Sequence, residues 1–260
     1  MDSRKLITFD NRSKEFNLLY NERLIKINVI YRQRKNISIR ITPKDKIDII
    51  SPKSVPYSFL KDVIIKKKDW ILKTLDKYKD INEEFNEERK FVDGEIFYYL
   101  GKEYKLKIIY DKNILNKNKN YCYISLDEEN LIIKINNYDK ELIKDEIKKW
   151  YKFESEKLVM DRVEYLKNNN YIISTLSPNI IKIKEQKKRW GSCTSQKSIY
   201  INSRISMARL DVIDYIIIHE FCHFVHMNHS KDFYELVKQI MPNYKNSEIW
   251  LKENGYKLII

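Results

Sequence analysis

All four histidines of this chain fall within the eleven residues HEFCHFVHMNH, at positions 219, 223, 226 and 229. His219 and His223 with Glu220 form an H-E-x-x-H pattern. Residues i and i+4 lie one turn apart on the same helical face, so two imidazoles there can share a metal ion at Zn–N distances of about 2.0–2.1 Å. On a strand, at about 3.3 Å per residue, they would stand roughly 13 Å apart. The chemistry therefore demands a helix. The preceding run DVIDYIII is rich in β-branched residues, but it continues into a segment of helical length with Asp211 available as N-cap. Such a helix is apolar nearly all round and has to be buried.

A catalytic zinc takes three protein ligands and leaves a fourth position open. His226 lies at i+7 from His219, and three ligands stacked along one straight helix cannot close around a tetrahedral ion. His229 can, provided the chain turns first. Met227-Asn228 offers that turn, because Asn tolerates the left-handed conformation that ends helices. The spacing from His219 to His229 matches the metzincin pattern H-E-x-x-H-x-x-G-x-x-H, yet His226 occupies the glycine position, so the match is one of spacing and not of membership. Glu220 would lie beside the ion without coordinating it, placed to take a proton from a zinc-activated water and deliver it to the leaving amine.

The elements that must position this helix can be read on either side of it. Leu24, Ile25, Ile27, Val29 and Tyr31, then Ile37, Ile39 and Ile41, then Lys46 to Ile50 suggest strands. Ser54 to Asp80 reads as one basic helix with Phe59, Val63, Trp70, Leu72 and Leu75 as its apolar face. Two hairpins are expected next, one punctuated by Gly94 and Gly101 and one turning at Asp127 to Asn130, with the polar stretch DKNILNKNKN as a loop between them. A long helix follows from Asp139 to Asn170, then strands at Asn179 to Lys184 and Ser198 to Ile201. Helices are expected from Leu210 to about Val225, Lys231 to Met241 and Lys245 to Asn254. No internal repeat shows in the sequence. The expected class is α+β: a β-rich N-terminal module with an inserted basic helix (1–135), then a zincin-like helical metallopeptidase domain with a small sheet (136–260).

With 260 residues, 43% of them hydrophobic and 13% aromatic, one or two domains can form. No run of about eighteen apolar residues occurs and no secretory leader is evident, so a soluble, cytoplasmic protein without a membrane partner is expected. Cys122, Cys193 and Cys222 form no C-x-x-C pair, which favours reduced thiols over disulfides. Cys222 lies off the ligand face of its helix and is expected in the core; Cys193 either approaches the metal or is a buried, inert thiol, the second being the favoured reading. A net charge of +13 and a pI near 9.3 are compatible with nucleic-acid binding. The abundance of Lys, Ile, Asn and Tyr beside only four glycines and five prolines is equally compatible with a general composition bias. No RNP, helix-turn-helix or zinc-finger signature accompanies the charge.

The segments RWGSC (189–193), IYINSRI (199–205), DYIIIHEFCHF and MNHSKDFYELV (227–237), with KKKDWILKTL (66–75) after ISPKSVP, resemble in order and spacing the YgjP-like metallopeptidases of the zincin superfamily, a group related to SprT-like and WLM proteases. The resemblance covers almost the whole chain. It implies a single Zn2+ site on His219, His223 and His229 with Glu220 as base, acting on a peptide or protein substrate. Phe221 stands where leucine is common, Ser203 where tryptophan is common, and Tyr234 where tryptophan often follows the phenylalanine. An edge strand beside the zincin helix commonly pairs with extended substrate, and Ser198 to Asn202 is the candidate. Arg189, Trp190, Gly191, Tyr200 and Arg204 are the candidate substrate-side residues.

The leading expectation is thus a zinc-dependent metallopeptidase. A DNA-associated SprT-like protease or adaptor, using the basic surface, rests on analogy and charge. A non-catalytic zinc-binding interaction module is the third reading. Against it stands Glu220, which a closed structural site does not need.

Overall fold

Alternation of apolar residues builds the first unit in the computed structural model, which describes residues 7–10, 15–20, 22–42, 46–85, 89–110 and 122–260. The DKNILNKNKN stretch and the first residues lie outside this set. The strands are β1 (Ile7–Asp10), β2 (Glu15–Tyr20), β3 (Arg23–Arg32), β4 (Ser38–Thr42) and β5 (Lys46–Pro52). They form one sheet in the order β1-β2-β3-β5-β4, with only β3 and β5 parallel. Phe16, Leu18, Ile27, Ile47 and Ile49 turn one face of this sheet into a core.

The basic segment that follows is two helices, α1 (Tyr57–Lys66) and α2 (Lys68–Phe85), and not the single helix expected over Ser54 to Asp80. The break sits at Lys67, whose φ of −101° and ψ of 6° leave the helical region. Leu60 and Ile64, then Ile71 and Leu75, lie one turn apart and are fully buried. Phe59 and Trp70, expected on the apolar face, fall on the other side and are exposed.

The second unit begins with β6 (Ile96–Tyr99), β7 (Lys102–Tyr110), β8 (Cys122–Leu126) and β9 (Asn130–Ile135), in the order β6-β7-β9-β8 with β7 and β9 parallel. The turns fall at Leu100-Gly101 and at Asp127–Asn130, where the Asp127 carboxylate accepts from the amides of Glu129 and Asn130. α3 (Lys140–Asn169) follows, with the Asp139 carboxylate capping its first turn and Asn170 passing the chain into the short α4 (Tyr171–Thr175). Then come β10 (Ile180–Lys184), β11 (Gly191–Cys193) and β12 (Ser198–Asn202), in the order β10-β12-β11 with β10 and β12 parallel. The chain ends in α5 (Leu210–Cys222), α6 (Lys231–Ile240) and α7 (Tyr244–Asn254). Seven helices and three small sheets among the described residues make the class α+β. None of these helices is long and apolar enough to cross a membrane.

The two compact units are Met1–Glu88 and Arg89–Ile260, so the division falls at 88/89 and not at 135/136. Packing explains the difference. Phe97, Leu106, Leu131 and Ile133 of the second sheet share one core with Ile143 and Ile147 of α3 and with Val212 and Ile213 of α5.

The structure also contains a repeat that the sequence does not announce. In both units a tight hairpin is followed by a second hairpin whose last strand runs parallel to the second strand of the first, and a helix comes next. β2-β3-β5-β4 thus has the order and senses of β6-β7-β9-β8. Leu18 and Phe97, Ile27 and Leu106, and Ile49 and Ile133 occupy matching buried positions. On the following helices Leu60 and Ile64 match Ile143 and Ile147.

Within the second unit α3 holds α5 through a two-pronged ion pair: Arg162 Nε and Nη2 donate to Asp214 at 2.7 and 2.8 Å. Both side chains are largely shielded from solvent, where charge-assisted bonds are stronger than at the surface. Ser155 Oγ of α3 donates to Ser203 C=O at 2.9 Å and accepts the Ser206 amide, fixing the turn that leads into α5. Replacing Arg162 by alanine leaves a half-buried carboxylate unpaired and is expected to lower unfolding free energy by about 2 kcal/mol, measured by urea denaturation. An unchanged midpoint would show that α5 does not depend on this pair.

Candidate metal centre

α5 is as apolar as its sequence requires: Val212, Ile213, Ile216, Ile217, Ile218, Phe221 and Cys222 are all buried. Its N-cap is Arg209 and not Asp211. Asp211 sits in the first turn, where its carboxylate accepts from the Arg209 guanidinium at 2.9 and 2.7 Å and from Ser247 Oγ of α7 at 2.9 Å. The helix ends at Cys222, short of the expected Val225. His223 keeps right-handed helical angles, and the amides of Phe224, Val225 and His226 bond back to Phe221 and Cys222. His219 and His223 consequently remain one turn apart.

The chain then reverses without the left-handed Asn228 that was expected; among the described residues, the non-glycine positions of positive φ are Glu22, Phe91, Leu100 and Lys197. His229 comes back toward the helix just before Ser230, whose Oγ caps α6 by accepting the Phe233 amide at 3.3 Å.

One ring nitrogen from each of His219, His223 and His229 lies within 4.8 Å of the others. Nε2 of His219 and Nε2 of His229 are 2.9 Å apart, near the roughly 3.3 Å separation of two nitrogens held about 2.0–2.1 Å from one tetrahedral ion. Nδ1 of His223 meets the His226 carbonyl at 3.1 Å, which leaves its Nε2 for the shared point. Burial and the neighbouring imidazoles push His219 down to about 3, and burial with His229 lowers His223. Both are neutral at ordinary pH, the form that binds metal. The donor set fits a single divalent ion. His226 lies outside this group and lines an open cleft together with Asp232 and Glu235 of α6.

Phe233 underlies the group. Its ring is fully buried, with its centroid 4.9, 4.7 and 4.9 Å from those of His219, His223 and His229. Sequence reasoning missed this role, though an aromatic residue in the first turn of α6 was a usable sign. Tyr215, one turn before His219 on α5, sets its ring at 5.8 Å from that histidine and stacks on Tyr244, which in turn stacks on Tyr234 beside His229.

Glu220 is 4% exposed, and its Oε2 is buried with no hydrogen-bond partner among the described residues, as is Nδ1 of His219. Burial pushes the carboxyl up to about 8, opposed by the positive charge of Arg189. Orphaned polar atoms are costly in a core, and here two occur on adjacent residues of α5. Gly191 of β11 lets this carboxylate in: a Cβ at that position would stand 2.4 Å from Glu220 Oε1.

Of the candidate substrate-side residues, Gly191 lies against Glu220, and the charge of Arg189 acts on the Glu220 carboxyl. The other three do neither. Trp190 packs partly buried against the core, with the Arg204 guanidinium over its ring at 5.3 Å. Arg204 itself donates to the carbonyls of Leu258 and Gln186, at 2.7 and 3.2 Å. Tyr200 alternates with the buried Ile199 and Ile201 and so faces away from α5, with Lys184 over its ring. The proposed pairing strand is also corrected: β12 is the middle strand, bonded on both sides, and β11 is the edge next to α5. Trp190 C=O and Thr194 N–H bond to β12, so by antiparallel alternation the backbone groups of Gly191 and Cys193 point outward. Cys193 lies outside the metal-ligand group; burial and the Glu220 charge raise its thiol to about 11, so it stays protonated. Cys222 is buried and raised to about 12, and none of the three cysteines is paired.

The model of the YgjP-like metallopeptidase domain matches residues 35–254. No curated protein matches the chain. Among solved structures, the metallopeptidase zymogen of Pyrococcus abyssi abylysin is similar at 22% identity, with a TM-score of 0.31, over 36% of this chain and 93% of that one.

The geometry generates a metal-binding prediction that needs no activity. Equimolar Zn2+ is expected to raise the thermal midpoint of the metal-free wild type and of His226→Ala, since an ion that binds only the folded state stabilises it by mass action. His223→Ala and His229→Ala are expected to lose most of that rise. Loss in His226→Ala with retention in His229→Ala would reverse the assignment of the third ligand.

Proposed function

The chain belongs to the YgjP-like metallopeptidase family, and from that premise we propose that it hydrolyses peptide bonds using one zinc ion held by His219, His223 and His229, with Glu220 as general base. The observation that carries this reading is the convergence of three imidazole nitrogens on one point, with the next residue after His219, Glu220, buried and holding a carboxylate oxygen that has no hydrogen-bond partner among the described residues. Zinc fits better than magnesium or calcium because the donors are neutral nitrogens and not oxygens. When bound, zinc supplies a Lewis acid that acidifies water and polarises a carbonyl.

The protein's own residues do the rest. Glu220 takes the proton of the attacking water on a carboxylate oxygen and returns it to the nitrogen of the departing amine. Arg189 favours the ionised form of that carboxylate, which the base must have at the outset. Phe233 and Tyr215 hold the imidazoles by packing. The outward N–H and C=O groups of Gly191 and Cys193 on β11 are suited to pair with an extended substrate backbone, aligning it along α5.

Two substitutions test the roles. Glu220→Gln is expected to cut hydrolysis of a mixed peptide library by about 10²–10⁴-fold while Zn2+ is still bound. Gly191→Ala places a methyl group 2.4 Å from Oε1 of Glu220 and is expected to lower kcat by about 10²-fold through displacement of the carboxylate. Full turnover by Glu220→Gln would overturn the proposed mechanism.

A further inference from the structure

The sheet that carries β11 has a second edge, β10, on the side away from β11. The Lys184 carbonyl of β10 accepts the Ser203 amide across the sheet. By parallel alternation the N–H and C=O of Ile181 and Ile183 then point the other way, and no group among the described residues bonds to them. Along this edge, between β10 and α3, run two adjoining clefts of about 540 and 310 Å³ that share Lys152 and Ile183 in their walls. Val159, Met160, Ile181 and Ile183 give the smaller cleft an apolar floor.

The rim is basic. Lys148 and Lys152 stand on the α3 side, Lys182, Lys184 and Lys187 on the other. The opposing carboxylates, Glu185 and Glu156, engage Lys148 and Lys152 only at 3.9 and 3.8 Å and are largely exposed. Exposed pairs of this kind contribute about 0–1 kcal/mol, so an incoming carboxylate can displace them.

We propose that this groove binds an extended acidic peptide segment, which joins the sheet as a further strand on β10. The free backbone edge supplies main-chain hydrogen bonds, the apolar floor takes alternate side chains, and the lysines select for acidic residues between them. A single-stranded nucleic acid fits less well. Neither cleft has an aromatic side chain in its described lining on which bases could stack, and a sugar-phosphate backbone has no regular N–H donors for a strand edge. Because β10 and β11 flank β12 from opposite sides, occupancy of the groove leaves the edge beside Glu220 free. The inference does not depend on peptidase activity.

The test uses the full chain carrying Glu220→Gln, so that no probe is consumed, and fluorescence anisotropy with a labelled peptide of alternating Glu and Val. Binding is expected for this peptide, not for its Lys-Val counterpart, and is expected to weaken with salt. The double variant Lys152→Glu/Lys184→Glu is expected to weaken it about tenfold or more without changing the thermal midpoint. N-methylation of alternate peptide amides is expected to abolish it, a control that leaves the protein untouched. Hydrogen exchange places the contact: the amides of Ile181 and Ile183 should slow on binding. Protection confined to Gly191 and Cys193 would mean that the peptide occupies the edge beside Glu220 and would overturn the proposal. Equal binding of the N-methylated peptide, or complete displacement by a single-stranded oligonucleotide at lower concentration, would overturn it too.

Discussion

The second unit is organised around one constraint: α5 is buried on nearly all sides and yet carries the polar residues of the site. An apolar helix of this kind has no orientation of its own, since every face is equally willing to enter a core. Its rotation is fixed by the few polar contacts at its surface. Arg162 grips Asp214 on one side, Ser247 and Arg209 hold Asp211 at the start, and Gly191 admits the Glu220 carboxylate on another. With those points pinned, His219 and His223 can face only the space into which His229 returns.

The repeated four-strand and helix unit shows how the same local solution is used for different ends. In the second unit the tip of the β6–β7 hairpin docks on the segment before α5: the amides of Leu100 and Gly101 donate to the carbonyls of Ser206 and Met207. Gly101, at φ +78°, also lies so close to Arg209 that a Cβ there would stand 2.4 Å from that side chain. The hairpin thereby braces the N-terminus of the helix that bears the histidines. In the first unit the matching tight turn includes Glu22, at φ 64°, and the matching helix breaks at Lys67 where α3 continues. What the two copies share is a pattern of buried apolar positions. Leu18 against Phe97 and Leu60 against Ile143 preserve burial and not identity, which is why the duplication is invisible to a reading of residue types.

What the sequence made legible was local. The Asp139 cap, the Asn170 stop and the helical spacing between them place α3 to within a residue, because caps and periodicity act over a few positions. The histidine spacing likewise announced the three-nitrogen group. What could not be read was pairing across the chain. That β12 lies between β10 and β11, and so cannot offer an edge, depends on contacts between segments whose order in space no local pattern records. The RWGSC segment that drew Trp190 into the candidate site admits a packing role equally well, and the fold gives Trp190 that role while Arg204 turns toward the C-terminal segment and the 186 carbonyl.

The choice between His226 and His229 rests on the same distinction between local and long-range order. After Cys222 the backbone turns continue the helical sense; the His226 carbonyl meets Nδ1 of His223, and the His226 side chain lies outside the three-nitrogen group. Selecting His229 takes something more, because the reversal through Met227 and Asn228 has no left-handed residue to fix it. The anchor is the start of α6. Ser230 caps that helix, and Phe233, one turn later, packs its ring against all three imidazoles. The third nitrogen is therefore positioned from the following helix backward, by a cap and a buried aromatic ring, and the spacing of histidines along the chain is the consequence of that anchor.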